Sequence, residues 1–185
     1  MYFEHACTKQ NRLSILHAGW LALFITLLIS SISSRLEAAT MDGGYNMILN
    51  GRSVHLSEPP PGSKFNENNF GSGLQYDFPR QYGSKWVAFT TSSAFYDSFN
   101  NISYYAGGGE SRRFYLRGGW HADVGYVGFL MARKDFDNYS PFPGVLPVAS
   151  IGTRNISMNI TYVPPVHEGL AELLFFQLKI ASLEW

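Results

Sequence analysis

The chain has 185 residues, 45% hydrophobic and only 15% charged, with Lys+Arg and Asp+Glu cancelling at 14 each. That is well below the roughly 25% charged of an ordinary soluble domain, and the length allows one domain at most. With no net charge and no basic run longer than Arg112-Arg113, a nucleic-acid backbone is excluded as partner. Aromatic residues at 16% and 18 glycines suit many short strands and tight turns better than a helical bundle or a disordered chain.

The N-terminal segment comes first. Lys9 and Arg12 precede an apolar stretch from Leu13 to about Ile32, which gives way to Ser-Ser-Arg-Leu-Glu-Ala-Ala. This reads as an export signal over residues 1–38 with cleavage near Ala38 or Ala39, leaving 39–185 as a single domain. The stretch is close to the ~20 residues that span a bilayer, so an uncleaved anchor is the alternative. Either way the rest of the chain leaves the cytoplasm. The only cysteine, Cys7, lies in this segment, so neither a disulfide framework nor a Cys-based metal site follows.

Beyond residue 39 the dominant signal is a period of two. Ile156, Met158, Ile160 and Tyr162 alternate with Ser157, Asn159 and Thr161, and Leu174, Phe176, Leu178 and Ile180 alternate with Phe175, Gln177 and Lys179. The same test along the chain gives eight strands, at about 45–56, 69–78, 85–97, 102–114, 119–132, 144–153, 156–163 and 171–180. Brief links at 79–84, 115–118 and 154–155 alternate with mostly longer ones at 57–68, 133–143 and 164–170. An even number of strands near ten residues long, tight at one end and elaborate at the other, predicts an all-β fold: an eight-stranded antiparallel transmembrane β-barrel. A lipocalin-like soluble barrel shares the strand count, but the apolar face of Leu174, Phe176, Leu178 and Ile180 argues against it.

The opposing faces describe the interior. His121 and Asp123 share a face with Val127, Phe129 and Met131, polar at one end and apolar at the other, which fits a packed interior or a hydrocarbon-lined pocket rather than a porin lumen. His121 and Asp123 lack a third partner at ligand spacing and read as rim or interior polar groups, so no metal is implied. If odd strands run upward, His55 ends the first and Asp97-Ser98 ends the third, so an imidazole, a carboxylate and a hydroxyl meet at the rim with the longer loops. Three such residues are either a solvated rim or the set needed for acyl transfer, in which imidazole removes a hydroxyl proton and carboxylate orients it. The sequons at Asn101, Asn138, Asn155 and Asn159 matter only in a eukaryotic secretory route and arise readily in Asn-rich strands.

The block Tyr139-Ser140-Pro141-Phe142-Pro143-Gly144-Val145-Leu146-Pro147-Val148-Ala149-Ser150-Ile151-Gly152, followed by Met158-Asn159-Ile160-Thr161-Tyr162-Val163-Pro164, closely resembles the C-terminal part of the lipid A palmitoyltransferase (PagP) family. Phe65-Asn66-Glu67-Asn68-Asn69-Phe70-Gly71-Ser72-Gly73 is similar to the family's segment opening its second strand, and Phe95-Tyr96-Asp97-Ser98-Phe99-Asn100 to its Lys-Asp-Ser-Trp-Asn segment. The resemblance implies an eight-stranded barrel of the bacterial outer membrane, acting as a monomer, that moves a palmitoyl chain from a phospholipid donor to lipid A or a related acceptor. On the matching positions it implies that His55, Asp97 and Ser98 are catalytic and that Gly109 is the floor of the acyl pocket. It further implies that Pro147 and Pro164 flank a lateral opening for lipid.

No cofactor is implied, since an ester already carries its leaving group. The chain departs from the family pattern in having Tyr96 and Phe99 beside the Asp-Ser pair and a distinct loop at Glu58-Pro59-Pro60-Pro61-Gly62. Only Thr40 to Gly44 stand where the family has an amphipathic helix. A barrel that keeps this architecture without catalysis, as a lipid-binding or structural outer-membrane protein, is the rival reading.

Overall fold

A computed structural model describes residues 43–59, 61–62, 64–81, 83–165 and 171–181. The expected export segment with its cleavage point, and the tail beyond Ala181, lie outside the described residues. Eight strands, β1 (Gly44–His55), β2 (Asn68–Asp77), β3 (Trp86–Tyr96), β4 (Ile102–Tyr115), β5 (His121–Ala132), β6 (Phe142–Gly152), β7 (Ile156–Val163) and β8 (Leu173–Ala181), pair antiparallel in sequence order. β8 returns to β1, closing the barrel. Each boundary falls within two residues of the alternation-based expectation. The late start of β5 has a local cause: Gly118 and Gly119 take φ of 73° and 78°, a left-handed turn open to glycine at no steric cost.

The alternation sorts the two faces as expected. Tyr45, Leu74, Val124, Tyr126, Val145 and Met158 are exposed on the outside, with Trp86, Tyr115 and Trp120 near one rim and Phe70, Tyr96 and Tyr104 near the other. Such an apolar belt between aromatic girdles is the outer surface of a barrel built for lipid. The inner wall carries Asn46, Asn50, Gln75, Asp77, Asp123, Asn159, Gln177 and Lys179, all buried.

These interior polar groups satisfy one another across the lumen. Gln177 Nε2 donates to Asn50 Oδ1 (2.7 Å) and to the Tyr105 hydroxyl (2.9 Å), and Asn50 Nδ2 donates to Ser93 Oγ (2.6 Å), linking β8, β1, β4 and β3. Toward the rim of short turns, Lys179 Nζ lies 3.2 Å from Asp77 Oδ2, and Gln75 Nε2 donates to Asp77 Oδ1 at 2.6 Å. Arg113 grips Asp123 with two bonds of 2.8 Å, and Ser150 donates to the same carboxylate. His121, grouped with Asp123 in the sequence, is buried in this cluster with Nε2 3.7 Å from Asp123 Oδ2.

β1 breaks its own phase once. Asn50 pairs with Gly71 but Arg52 with Asn68, and on the other side Asn50 pairs with Gln177 but Ser53 with Phe175. Against β8 the extra residue lies in β1, a bulge at Gly51-Arg52, whereas in the ladder with β2 it lies in β2, between Asn68 and Gly71. Below it Asn46, Ile48 and Asn50 face inward; above it Ser53 is buried and His55 half-buried, while Arg52 and Val54 face out. Without the bulge the period of two would send His55 to the outer face.

Removing one member of a buried ion pair leaves the other uncompensated. Asp123→Ala is expected to lower barrel stability by about 3–5 kcal/mol, read as the denaturant dependence of tryptophan fluorescence in detergent micelles.

Candidate functional site

β1, β3, β5 and β7 end at one rim, where the described residues of the loops that follow them gather. The loop after β3 is shaped by Asp97. Its Oδ1 accepts the backbone N–H groups of Phe99 and Asn101, each at 2.9 Å, and its Oδ2 accepts the Ser103 hydroxyl at 2.9 Å. Asn100 supplies the left-handed residue of this turn at φ 62°, a conformation asparagine tolerates. The side chain of Asp97 is thus the hub of the turn that presents Ser98.

The loop from β1 to β2 is laced onto this turn. Asn66 N–H donates to the Ser98 carbonyl (2.8 Å), Asn66 Nδ2 to the Asp97 carbonyl (3.0 Å), and Asn69 Nδ2 to the Tyr96 carbonyl (2.8 Å). Glu67 O accepts the Ser53 N–H at 2.9 Å, so the dipeptide Asn66-Glu67 lies between Ser53 on one side and Ser98 on the other. Glu67 turns its carboxylate outward to Arg52, 2.7 Å away.

His55 Nε2 and Ser98 Oγ stand 2.9 Å apart, within reach for proton transfer. The imidazole is stacked on Phe65, centroids 4.0 Å apart and planes 14° apart, and Phe65 in turn meets the edge of Phe99. Nδ1 of His55 is buried with no hydrogen-bond partner among the described residues. Of the three residues expected together, His55 and Ser98 touch, while none of the hydrogen bonds of Asp97 among the described residues goes to the imidazole. The ring is held by aromatic packing instead.

Below this pair lies a cavity of about 740 Å³. Ser98, Asp97, Phe99 and Ser53 line its mouth, and Phe95, Phe129, Val127, Leu146 and Val148 supply apolar wall. Its deep end reaches Asp77, Asp123 and Lys179. The volume is that of a small-molecule pocket. Gly109 lies between Phe89 and Tyr126, where a Cβ would run into the Tyr126 carbonyl oxygen and stand 3.0 Å from the tip of the Phe89 ring, so backbone as well as the ring closes over it. Phe89, buried and on the cavity wall, is the surface a ligand would meet.

Pro147 and Pro164 bound a break in the ladder. β6 and β7 pair only from Val148↔Thr161 to Gly152↔Ser157; continuing that register would match Pro147 with Tyr162 and Leu146 with Val163, and those pairs are not made. Proline has no N–H to donate, and the ladder ends at Val148, the residue beside Pro147. On the β5 side Pro147 remains in register with Tyr126. The seam is unzipped over the half nearest the His55–Ser98 pair.

Sequence reasoning did not single out Phe65, Ser53, Asn69 or the bulge. A glycine inside a strand, Gly51, was the available sign of the bulge. Among the described residues no group of three or more His, Cys, Asp or Glu side chains is placed to hold a metal.

Comparison with known proteins matches residues 47–179 to the family model of the antimicrobial peptide resistance and lipid A acylation protein PagP. A lipid A acyltransferase PagP of Bordetella pertussis is 32% identical over 133 residues, 70% of this chain and 72% of that one. One from Methylobacillus flagellatus is 41% identical over 87 residues; that match spans about half the length of the relative, 47% of each chain. The solved structure of the Yersinia pestis outer membrane protein Ail in a phospholipid bilayer nanodisc covers 75% of this chain and 98% of that one. At a TM-score of 0.40 and 10% identity that likeness adds nothing to the fold already described. A match over strands β1 to β8, site segments included, makes the chain a member of the PagP family.

Proposed function

We propose that the protein is an outer-membrane acyltransferase that moves a palmitoyl-type chain from a phospholipid to lipid A or a related acceptor. The observation that carries this reading is the His55 Nε2 to Ser98 Oγ contact of 2.9 Å at the mouth of an apolar-walled cavity. Its relatives from Bordetella and Methylobacillus bear the name lipid A acyltransferase. The exposed apolar belt supports a membrane location.

In this reading the unzipped β6/β7 seam admits the donor chain sideways from the bilayer, since an acyl chain gains nothing by passing through the aqueous rim. The chain lies against Phe95, Phe129, Leu146 and Val148, and the ester stops at the mouth. In the tautomer protonated at Nδ1, His55 Nε2 accepts the Ser98 proton. Ser98 Oγ bonds to the ester carbonyl carbon, and the lysophospholipid leaves with the proton from His55. The acceptor hydroxyl then repeats the steps in reverse and takes the chain. Asp97 acts as a positioning residue, holding the turn that aims Ser98.

Mass spectrometry of lipid A from cells making the wild-type chain is expected to show a one-acyl increment. His55→Ala and Ser98→Ala at matched outer-membrane levels should lower it by about 10³-fold or more. No increment with the wild type, donor and acceptor being present, would favour the non-catalytic barrel. Phe89→Ala, which removes the ring a ligand would meet, is expected to deepen the cavity and shift chain preference upward, with about 0.8 kcal/mol of binding gained per additional CH₂ buried. That is read from the acyl composition of the product. Cysteines at positions 146 and 163, which would be partners if the ladder continued past Val148↔Thr161, should slow transfer once oxidised to a disulfide, and reduction should restore it.

A further inference from the structure

Most interior polar groups of this barrel are satisfied, which makes the exceptions informative. Three buried polar atoms without a hydrogen-bond partner among the described residues belong to one locality: Nδ1 of His55, Oγ of Ser53 and Oδ1 of Asn69. Ser53 is 1% exposed, the next inward residue below His55, and it lines the same cavity as Ser98 and Asn69. Only the Asn66-Glu67 dipeptide separates its backbone from that of Ser98. Two residues along a strand is about 6.6 Å, roughly the reach of an imidazole plus an ester group.

A buried hydroxyl with no partner costs stability, and packing does not require it, because alanine would fill nearly the same space opposite Phe175. Within the fold the group has no structural return. The bulge that turns His55 inward turns Ser53 inward as well. What it meets there is a cavity mouth shared with Asn69, Asp97, Ser98 and Phe99.

We infer that Ser53 is a further catalytic residue, whose hydroxyl donates to the carbonyl oxygen of the bound acyl ester and stabilises the oxyanion formed on attack. This rests on the acyl-transfer reading of the His55–Ser98 pair. As the attacking oxygen bonds to the carbonyl carbon, its proton passes to His55 Nε2 and the carbonyl π pair moves onto oxygen, where the Ser53 O–H receives it. When that pair returns, the bond to the leaving alkoxide breaks and the alkoxide takes the proton back from His55. The hydroxyl of Ser53 keeps its own proton throughout. A donor fixed where charge develops strengthens in the transition state more than in the ground state, so its loss acts on kcat.

The test compares wild type, Ser53→Ala and Ser53→Thr in detergent. Three quantities are measured: hydrolysis of p-nitrophenyl palmitate, affinity for the monomethyl ester of hexadecylphosphonate as a tetrahedral anion, and the thermal unfolding midpoint. Ser53→Ala is expected to lose about 10²–10³-fold in kcat with KM little changed, to bind the phosphonate more weakly, and to keep or raise the midpoint. Ser53→Thr, which retains a hydroxyl, should recover most of the activity. Wild-type kcat in Ser53→Ala overturns the inference. So does a loss accompanied by a lowered midpoint that threonine does not repair. If the wild type binds the phosphonate and hydrolyses the ester with this Ser53 dependence yet adds no chain to lipid A, the acceptor reading fails while the role of Ser53 stands. If the wild type neither hydrolyses nor binds, both fall together.

Discussion

The closed antiparallel ladder is the constraint on which everything else in this molecule depends. In lipid no water is available for an unpaired N–H or C=O, so every strand must find partners on both sides, and eight strands meet that demand by returning β8 to β1. Closure forces the period of two: what does not face lipid must face a lumen narrow enough to be filled by side chains. The interior chemistry is therefore dense. Asn50, Ser93, Tyr105 and Gln177 bond across the middle, and the Arg113–Asp123 and Lys179–Asp77 pairs close the end with short turns.

The site arises where this ladder is locally relaxed. A bulge in β1 converts an outward position into an inward one and brings His55 against Ser98. A proline in β6 ends pairing with β7 and opens the wall on the same half of the barrel. Both devices give up regular hydrogen bonding, and both lie toward the rim with the long loops, away from the charged cluster that braces the opposite end. Rigidity and access are thus separated along the barrel axis.

The His55 ring shows how an imidazole can be held in more than one way. An acid-base histidine needs its ring plane fixed, and a carboxylate on the far nitrogen is the familiar means. Here the carboxylate of Asp97 is spent on Phe99, Asn101 and Ser103, and the ring is stacked on Phe65, which Phe99 backs edge-on. Asp97 then serves the site through the backbone, by fixing where Ser98 stands.

How much of this could be read in advance differs from feature to feature. Eight strands, their order and their inner and outer faces follow from alternation, because a strand with one face in lipid and one in a lumen carries that pattern in every pair of residues. The placement of His55 and Ser98 at one rim follows from strand direction, and the Asp-Ser motif resembles the family's. The bulge at Gly51-Arg52, the Phe65 clamp, the Asn66 tether, the covering of Gly109 by Phe89 and the orphaned Ser53 hydroxyl do not. Each depends on which residue of a neighbouring strand or loop stands opposite, a matter of register settled by the whole ladder at once. By itself the sequence determined the architecture and the rim at which His55, Asp97 and Ser98 stand. Only the tertiary structure decided which atoms meet there, because a one-residue slip reverses every face above it.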